Sequence, residues 1–207
     1  IMMKPIDVYV PNLPNRADRR DSILAQYTGR KEFKLHLLTP MPDKNPLHSL
    51  WKTFIQVVRQ EYEKKSPFFI FGEDDHAFTE YYDFDEFQRC IEEANALEAD
   101  TLSGGLGWMS DPVQLNSRLF WVNCFNAMQF TVVFRRFYEN ILKVSEEADG
   151  FVLDWKLSEI SNRNYCVFPA ISRQVEFGYS DLTSSNAKAG FLDNAFLGVA
   201  NRLKSLD

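Results

Sequence analysis

The chain has 207 residues, enough for one domain that buries its own core without disulfide or metal staples. Its 23 Lys and Arg against 29 Asp and Glu leave a formal charge of −6, which argues against a non-specific nucleic-acid binder. A hydrophobic fraction of 45%, with 18 Phe, 8 Tyr and 4 Trp, excludes disorder and leaves open whether the rings fill a core or line a cleft.

Ile6 to Val10 alternates apolar and polar residues and reads as a first strand, stopped by the turn-rich Pro11-Asn12-Leu13-Pro14-Asn15. A short helix through Arg19, Ile23 and Tyr27 follows, then a second strand over Phe33 to Leu38 that ends at Pro40 and Pro42. Asn45 and Pro46 form a cap and first residue for the clearest helix, whose Leu47, Leu50, Trp51, Phe54, Ile55, Val58 and Tyr62 recur at helical spacing. Phe68-Phe69-Ile70-Phe71 is the continuous apolar run of a strand covered on both faces, and Gly72-Glu73-Asp74-Asp75-His76 stands at its end. Phe84 to Leu97 reads as a second amphipathic helix, and Thr101 to Trp108 as a strand and a glycine-rich turn. Strand-like runs follow at Phe120 to Phe125 and Gln129 to Phe134, with a helix through Tyr138 and Ile141. A helix begins at Asp154, a last strand covers Tyr165 to Phe168, and the tail from Phe191 to Leu203 is an amphipathic helix. Strands alternating with helices predict an α/β fold with a mostly parallel central sheet flanked by helices, in a single domain over residues 1–207.

Three widely spaced cysteines and three histidines make neither a disulfide framework nor a structural zinc site, and point to a reducing, cytoplasmic compartment. No apolar run approaches the roughly 20 residues of a membrane span, and Met2-Met3-Lys4-Pro5 has no hydrophobic signal region. Lys188, Arg202 and Lys204 around the tail helix offer a peripheral contact with the inner face of a membrane, although Asp193 and Asp207 favour packing on the domain.

In an open α/β sheet, ligands bind beyond the carboxyl ends of the strands. Two loops fall there. Glu73, Asp74 and Asp75 repel one another unless a cation offsets their charge, and hard oxygen ligands suit Mg²⁺ or Mn²⁺. Arg16, Arg19 and Arg20, at the start of a helix, suit forked hydrogen bonds to phosphate, while Asp18 and Asp21 offer them an ordinary solvated pairing instead. A cation and an arginine clamp at one sheet edge are what a nucleotide diphosphate requires. Gly104, Gly105 and Gly107 place Trp108 on a loop, where it is the clearest of the platforms for a sugar face among Trp108, Trp121, Trp155, Tyr81 and Tyr82.

Asn12-Leu13-Pro14-Asn15-Arg16-Ala17-Asp18-Arg19-Arg20 resembles the N-L-x-x-R-x-D-R-R signature of glycosyltransferase family 25, the lipopolysaccharide and lipooligosaccharide galactosyltransferases and their collagen-modifying relatives. Phe69 to Asp75 is similar to that family's apolar strand ending in E-D-D, and His48-Ser49-Leu50-Trp51 resembles its S-H-x-x-x-W helix start, with Leu47 in place of the serine. Asp154-Trp155-Lys156-Leu157 is similar to a later Asp that opens a helix. Phe168-Pro169, Gln174 and Ser180-Asp181-Leu182 resemble its closing elements. The ordered set spans about residues 6–185, leaving 186–207 to the tail helix. Pro11 stands at a normally apolar strand position, and Pro42-Asp43-Lys44-Asn45 replaces a glycine-cysteine stretch.

The resemblance implies a GT-A-like nucleotide-diphospho-sugar transferase, inverting and metal-dependent. It would move a hexose, galactose foremost, from a UDP-sugar to a glycan or lipopolysaccharide-type acceptor in a bacterial cell. Glu73 and Asp75 become the metal ligands, with Asp74 turned to the donor ribose or sugar. Asn12, Arg16, Arg19, Arg20, His48 and Trp108 become donor contacts, and His76 a donor contact or a neighbour of the metal. Asp154 becomes the base, with Asp149 as its alternative and an N-cap as its plain structural role. Two other functions use the same residues: a non-catalytic binding module on this fold, and a metal-dependent phosphohydrolase or nucleotidyltransferase.

Overall fold

A computed structural model describes residues 4–144, 152–179 and 188–206. In chain order its elements are β1 (Ile6–Pro11), α1 (Ala17–Tyr27), β2 (Phe33–Leu38), α2 (Pro46–Glu63), β3 (Phe68–Gly72) and β4 (His76–Phe78). Next come α3 (Phe84–Ala96), β5 (Thr101–Ser103), β6 (Trp108–Met109), β7 (Val113–Gln114), β8 (Leu119–Val122) and β9 (Phe125–Asn126). The chain continues through β10 (Phe130–Phe134), α4 (Arg135–Leu142), α5 (Leu153–Ile160), β11 (Asn164–Val167), β12 (Ser172–Gln174) and α6 (Phe191–Lys204). Asp149, Ser180, Asp181 and Leu182 lie outside the described residues.

The main sheet has eight strands in the order β2-β1-β3-β10-β5-β11-β8-β7. β2, β1, β3, β5, β11 and β7 run one way, and β10 and β8 run the other. The expected mostly parallel frame is therefore present, with β10 inserted in reverse at its centre. That reversal matters for the site. β10 starts where β3 and β5 end, so the turn leading into it joins the carboxyl-end loops.

Side-chain alternation divides the core into two layers. Tyr9, Phe69, Phe71 and Val133 face α2, α4 and α5, whose Trp51, Phe54, Tyr138 and Leu157 pack against them. Val8, Val10, Ile70 and Val132 face α1 and α3, whose Ile23, Tyr27, Phe87 and Ile91 pack on the other side. The aromatic excess goes mainly into these layers, where the rings of Phe54, Phe69, Phe71, Phe87 and Phe130 are almost wholly buried.

Local chemistry sets the helix starts. The Asn45 side chain accepts from Leu47 N at 3.0 Å, with Pro46 as first helical residue, so α2 begins where the sequence places it. Asp83 caps α3 by accepting from Glu86 N at 3.0 Å. Five short strands are not separate elements in the sequence reading. β4 pairs with β12, and β6 with β9, in two-stranded sheets outside the main one, while β7 forms its edge. Trp108 accordingly lies in a two-residue strand, not in the open loop expected from its glycines. Among the described residues, no helix is long and apolar enough to cross a membrane.

Candidate functional site

α1 aims the first arginine by its helical phase. Arg19, Ile23 and Tyr27, four residues apart, form its buried face. Ile23 and Tyr27 enter the core, and Arg19, one turn earlier, meets the loop after β3. One of its terminal nitrogens donates to Asp74 Oδ1 at 2.9 Å and Asp75 Oδ2 at 3.2 Å, and the other to Tyr179 O at 2.8 Å. Its guanidinium lies 4.9 Å from the Phe177 ring centroid and 4.8 Å from that of Tyr179. Arg16 is 5.3 Å from the Tyr179 ring, and the Tyr179 hydroxyl donates to Asp18 at 2.9 Å. Arg20, one step round the helix, is exposed and 3.7 Å from Asp21.

The three carboxylates diverge in their surroundings. Asp74 is enclosed, accepting from Asn12 Nδ2 at 2.9 Å on one oxygen and from Arg19 on the other. Glu73 and Asp75 instead converge on one amide: Gln174 Nε2 donates to Glu73 Oε2 at 2.6 Å and lies 3.5 Å from Asp75 Oδ1. Gln174 reaches them because β12 pairs with β4, setting His76 opposite Gln174, and because Val175 N donates to the Asp75 carbonyl at 2.7 Å. Gly105 permits that approach, since a Cβ there would stand 2.0 Å from Ser172 O. Burial, then the charges of Asp75 and Asp154, push the Glu73 carboxyl well above its ordinary range. Burial raises Asp75 to about 6, against the opposing pull of Arg19.

Asp154 is the second residue of α5, two positions beyond an N-cap at Val152, so the capping role is not its own. Its Oδ2 accepts from Ala127 N at 2.7 Å and its Oδ1 from Trp155 N at 2.8 Å. Ala127 holds a left-handed φ of 86°, a conformation that alanine avoids unless its surroundings fix it. The carboxylate is 7% exposed, and burial raises its pKa against those backbone donors.

Two cavities meet at these residues. The smaller, about 270 Å³, is lined by Leu13, Arg16, Arg19, Pro40 and Ser49 together with Glu73, Asp74 and Asp75. The larger, about 730 Å³, is lined by Asp154, Trp108, Trp155 and residues of α2 and α6. Leu50, Glu73 and Gln174 line both. Trp108 and Trp155 stack at 5.7 Å and 7° between planes.

Of the residues singled out from the sequence, Asn12, Arg19, Glu73, Asp74 and Asp75 come together in one hydrogen-bonded group, and Arg16 lines the same cavity. Asp154 and Trp108 share the adjoining one. His48 sits 3.9 Å from Asp43 and lines neither. His76 is a core residue, stacked on Phe130 at 4.9 Å, with Nδ1 2.8 Å from Ser172 Oγ. Burial lowers its pKa to about 3, so it is neutral. Trp121 donates to Asn162 O at 2.7 Å, away from both cavities. The sequence placed Gln174 in a closing element without a role and gave no signal for Ala127, Phe177 or Tyr179, which act through contacts between distant segments.

Among the described residues, no cluster of three or more acidic, histidine or cysteine side chains has a metal-holding arrangement. Glu73 and Asp75 alone nevertheless fit a hard divalent cation. Mg²⁺ commonly takes only one or two protein carboxylates and completes its shell with water and phosphate. Both side chains reach the same Gln174 amide, and a cation would offset the repulsion that Asp75 and Asp154 add to burial in raising the Glu73 pKa.

No protein-family model matches the chain, and no curated protein matches it in sequence. Among solved structures, it is similar to a glycosyltransferase involved in the glycosylation of the major capsid of PBCV-1. That likeness has 12% identity and a TM-score of 0.48, covering 79% of this chain and 81% of the other. It is also similar to apo UDP-glucose pyrophosphorylase, at 6% identity and TM-score 0.49 over 96% and 82% of the two chains. A third similar structure is HddC from Yersinia pseudotuberculosis complexed with GMP-PN, at 10% identity and TM-score 0.45 over 94% and 99%.

Proposed function

We propose that the chain is an inverting glycosyltransferase of the family 25 type, moving a hexose from a nucleotide-diphosphate donor, UDP-galactose foremost, to an acceptor hydroxyl. One observation carries this reading. Glu73 and Gln174 form a wall common to a cavity with arginines and carboxylates and a cavity with a buried, separate carboxylate, Asp154. A donor diphosphate in the first and an acceptor in the second would meet at that wall.

Glu73 and Asp75 would hold a Mg²⁺ or Mn²⁺ ion, which when bound would offset the charge that develops on a departing diphosphate. Arg16 and Arg19 flank the donor pocket, and Arg19 Nε has no partner among the described residues. The acceptor oxygen bonds to the anomeric carbon as the carbon–oxygen bond to phosphate breaks, and the diphosphate leaves with that electron pair. Asp154 takes the hydroxyl proton. Its raised pKa makes it a stronger base than a free aspartate, and the Ala127 N–H fixes its orientation while each oxygen keeps a lone pair for the acceptor.

The test is calorimetric titration with UDP, Mn²⁺ and both together. The parent binds UDP at least tenfold more tightly with Mn²⁺, and Asp75→Ala loses that synergy while keeping its circular dichroism spectrum. An Asp75→Ala protein that binds the pair like the parent overturns the assignment. Products of UDP-hexose turnover separate the nucleotidyl reading: hexose plus UDP fits a transferase using water, and sugar phosphate plus UMP does not.

A further inference from the structure

We infer that the acceptor carries an apolar body, an alkyl or aryl group that fills the larger cavity beside its reacting hydroxyl, and is not a free sugar. The inference rests on the transferase reading of the same site. The cavity has about 730 Å³, within the range of sites that enclose a whole small ligand. Away from the wall it shares with the donor pocket, Leu47, Met109, Met128, Leu192 and Val199 line it. These come from α2, β6, the turn before β10, and α6, so four separate parts of the chain present apolar side chains to one space.

Its polar side chains are Glu73, Asn126, Asp154, Gln174, Asn194 and Arg202, outnumbered by apolar ones, and among them the buried Asn126 Oδ1 has no partner among the described residues. Glu73 accepts from Gln174, and Asp154 is held by backbone donors. Arg202, the one basic residue among the lining residues described, donates to Met109 O at 3.3 Å. A free hexose would bring several hydroxyls out of water against leucine, methionine and valine, leaving donors and acceptors unpaired. An apolar body meets the same wall favourably and leaves the polar corner to the reacting hydroxyl. Charge agrees: two carboxylates line the space, so an anionic acceptor is repelled and a neutral one is not. At the rim, Trp108 and Trp155 use one indole face each on the other and remain 43% and 57% exposed, a flat aromatic border beside the cavity.

The experiment uses one sugar as its free form and as alkyl glycosides from butyl to octyl, below their micelle concentrations, with UDP and Mn²⁺ present. Binding is read by tryptophan fluorescence and calorimetry. Affinity should climb by about fourfold per methylene until the cavity is full, the ratio expected from burying each CH₂. Leu192→Asn should flatten the slope, and Trp155→Ala, on an exposed side chain that the core does not need, should weaken every alkyl glycoside several-fold. Leu197→Ser, on the exposed outer side of α6, should leave the slope as it is. Affinity independent of chain length while UDP still binds overturns the inference and leaves the transferase reading standing. Failure of UDP to bind overturns the transferase reading, and the acceptor assignment with it. A slope lost equally in Leu197→Ser places the glycosides on the surface and overturns the inference.

Discussion

Two carboxylates near opposite ends of α2 stand in opposite conditions. Near its C-terminus Glu61 is fully buried, yet Tyr9, Gln60 and Lys64 donate to it. Burial opposes its charge, but donors from Lys64, Ser66, Tyr9 and Gln60 prevail and hold its carboxyl below the ordinary range. Beyond its N-terminus, Glu73 receives one amide from Gln174, and burial, with the charges of Asp75 and Asp154 added to it, pushes its carboxyl up. The contrast separates a carboxylate whose charge an adjacent lysine offsets from one left short of positive charge. Groups of the second kind, gathered in a cleft, are what a site awaiting a cation looks like.

The largest effect should come from the carboxylate proposed to act on the acceptor. Asp154→Asn is expected to reduce transfer by about 10²- to 10⁴-fold, the usual contribution of a positioned base, while UDP affinity stays within about twofold. In the parent, transfer should fall as the pH drops, along a limb above the ordinary aspartate pKa of about 3.9, because burial raises Asp154 and a protonated base accepts nothing. Steady-state rates against pH check both points, and unchanged turnover in Asp154→Asn removes it as the base.

Glu61→Gln tests the cluster paired with Lys64. It keeps the shape but removes the charge that Lys64 and Tyr9 address, and should lower stability by about 1–3 kcal/mol at pH 7, read from urea unfolding. A carboxylate with a depressed folded pKa stabilises above its unfolded pKa and loses that contribution as the pH falls. Parent and variant should therefore converge below about pH 4.

Much of this contrast could be read from particular residues. Phe54, Val58 and Glu61 lie on one stripe of α2, so a charge on a buried face was visible as a misfit needing partners. β3 announced itself by composition, and its terminal carboxylates by position. Arg19 and Arg20 looked equivalent as neighbours, yet the four-residue spacing of Arg19, Ile23 and Tyr27 already distinguished the buried one. What stayed hidden depended on pairing across the chain. Gln174 meets Glu73, 101 positions away, only because two three-residue strands pair and Gly105 admits the Ser172 carbonyl. No propensity signals β4 or β12, which are too short for a period, and none gives Ala127 its left-handed backbone. The larger cavity needs α2, β6 and α6 at once, so its apolar character was distributed over segments that each read as ordinary core.

The finest test applies the same Glu→Gln change at the other end of α2 and expects the opposite sign. With divalent ions removed by chelation, Glu73→Gln should raise the melting temperature at pH 7.5. Its folded pKa is raised, so the stability it contributes exists below the unfolded pKa of about 4.3 and is lost as the pH rises and the carboxylate ionises beside Asp75 and Asp154. A neutral amide removes that repulsion and keeps an oxygen for Gln174. The gain should shrink toward zero near pH 4, where both proteins are neutral at this position. Adding Mn²⁺ with UDP should then reverse the order, because the parent gains a ligand that the variant holds poorly. If Glu73→Gln destabilises the chelated protein at pH 7.5 as Glu61→Gln does, Glu73 is a structural carboxylate and the distinction between the two ends of α2 fails.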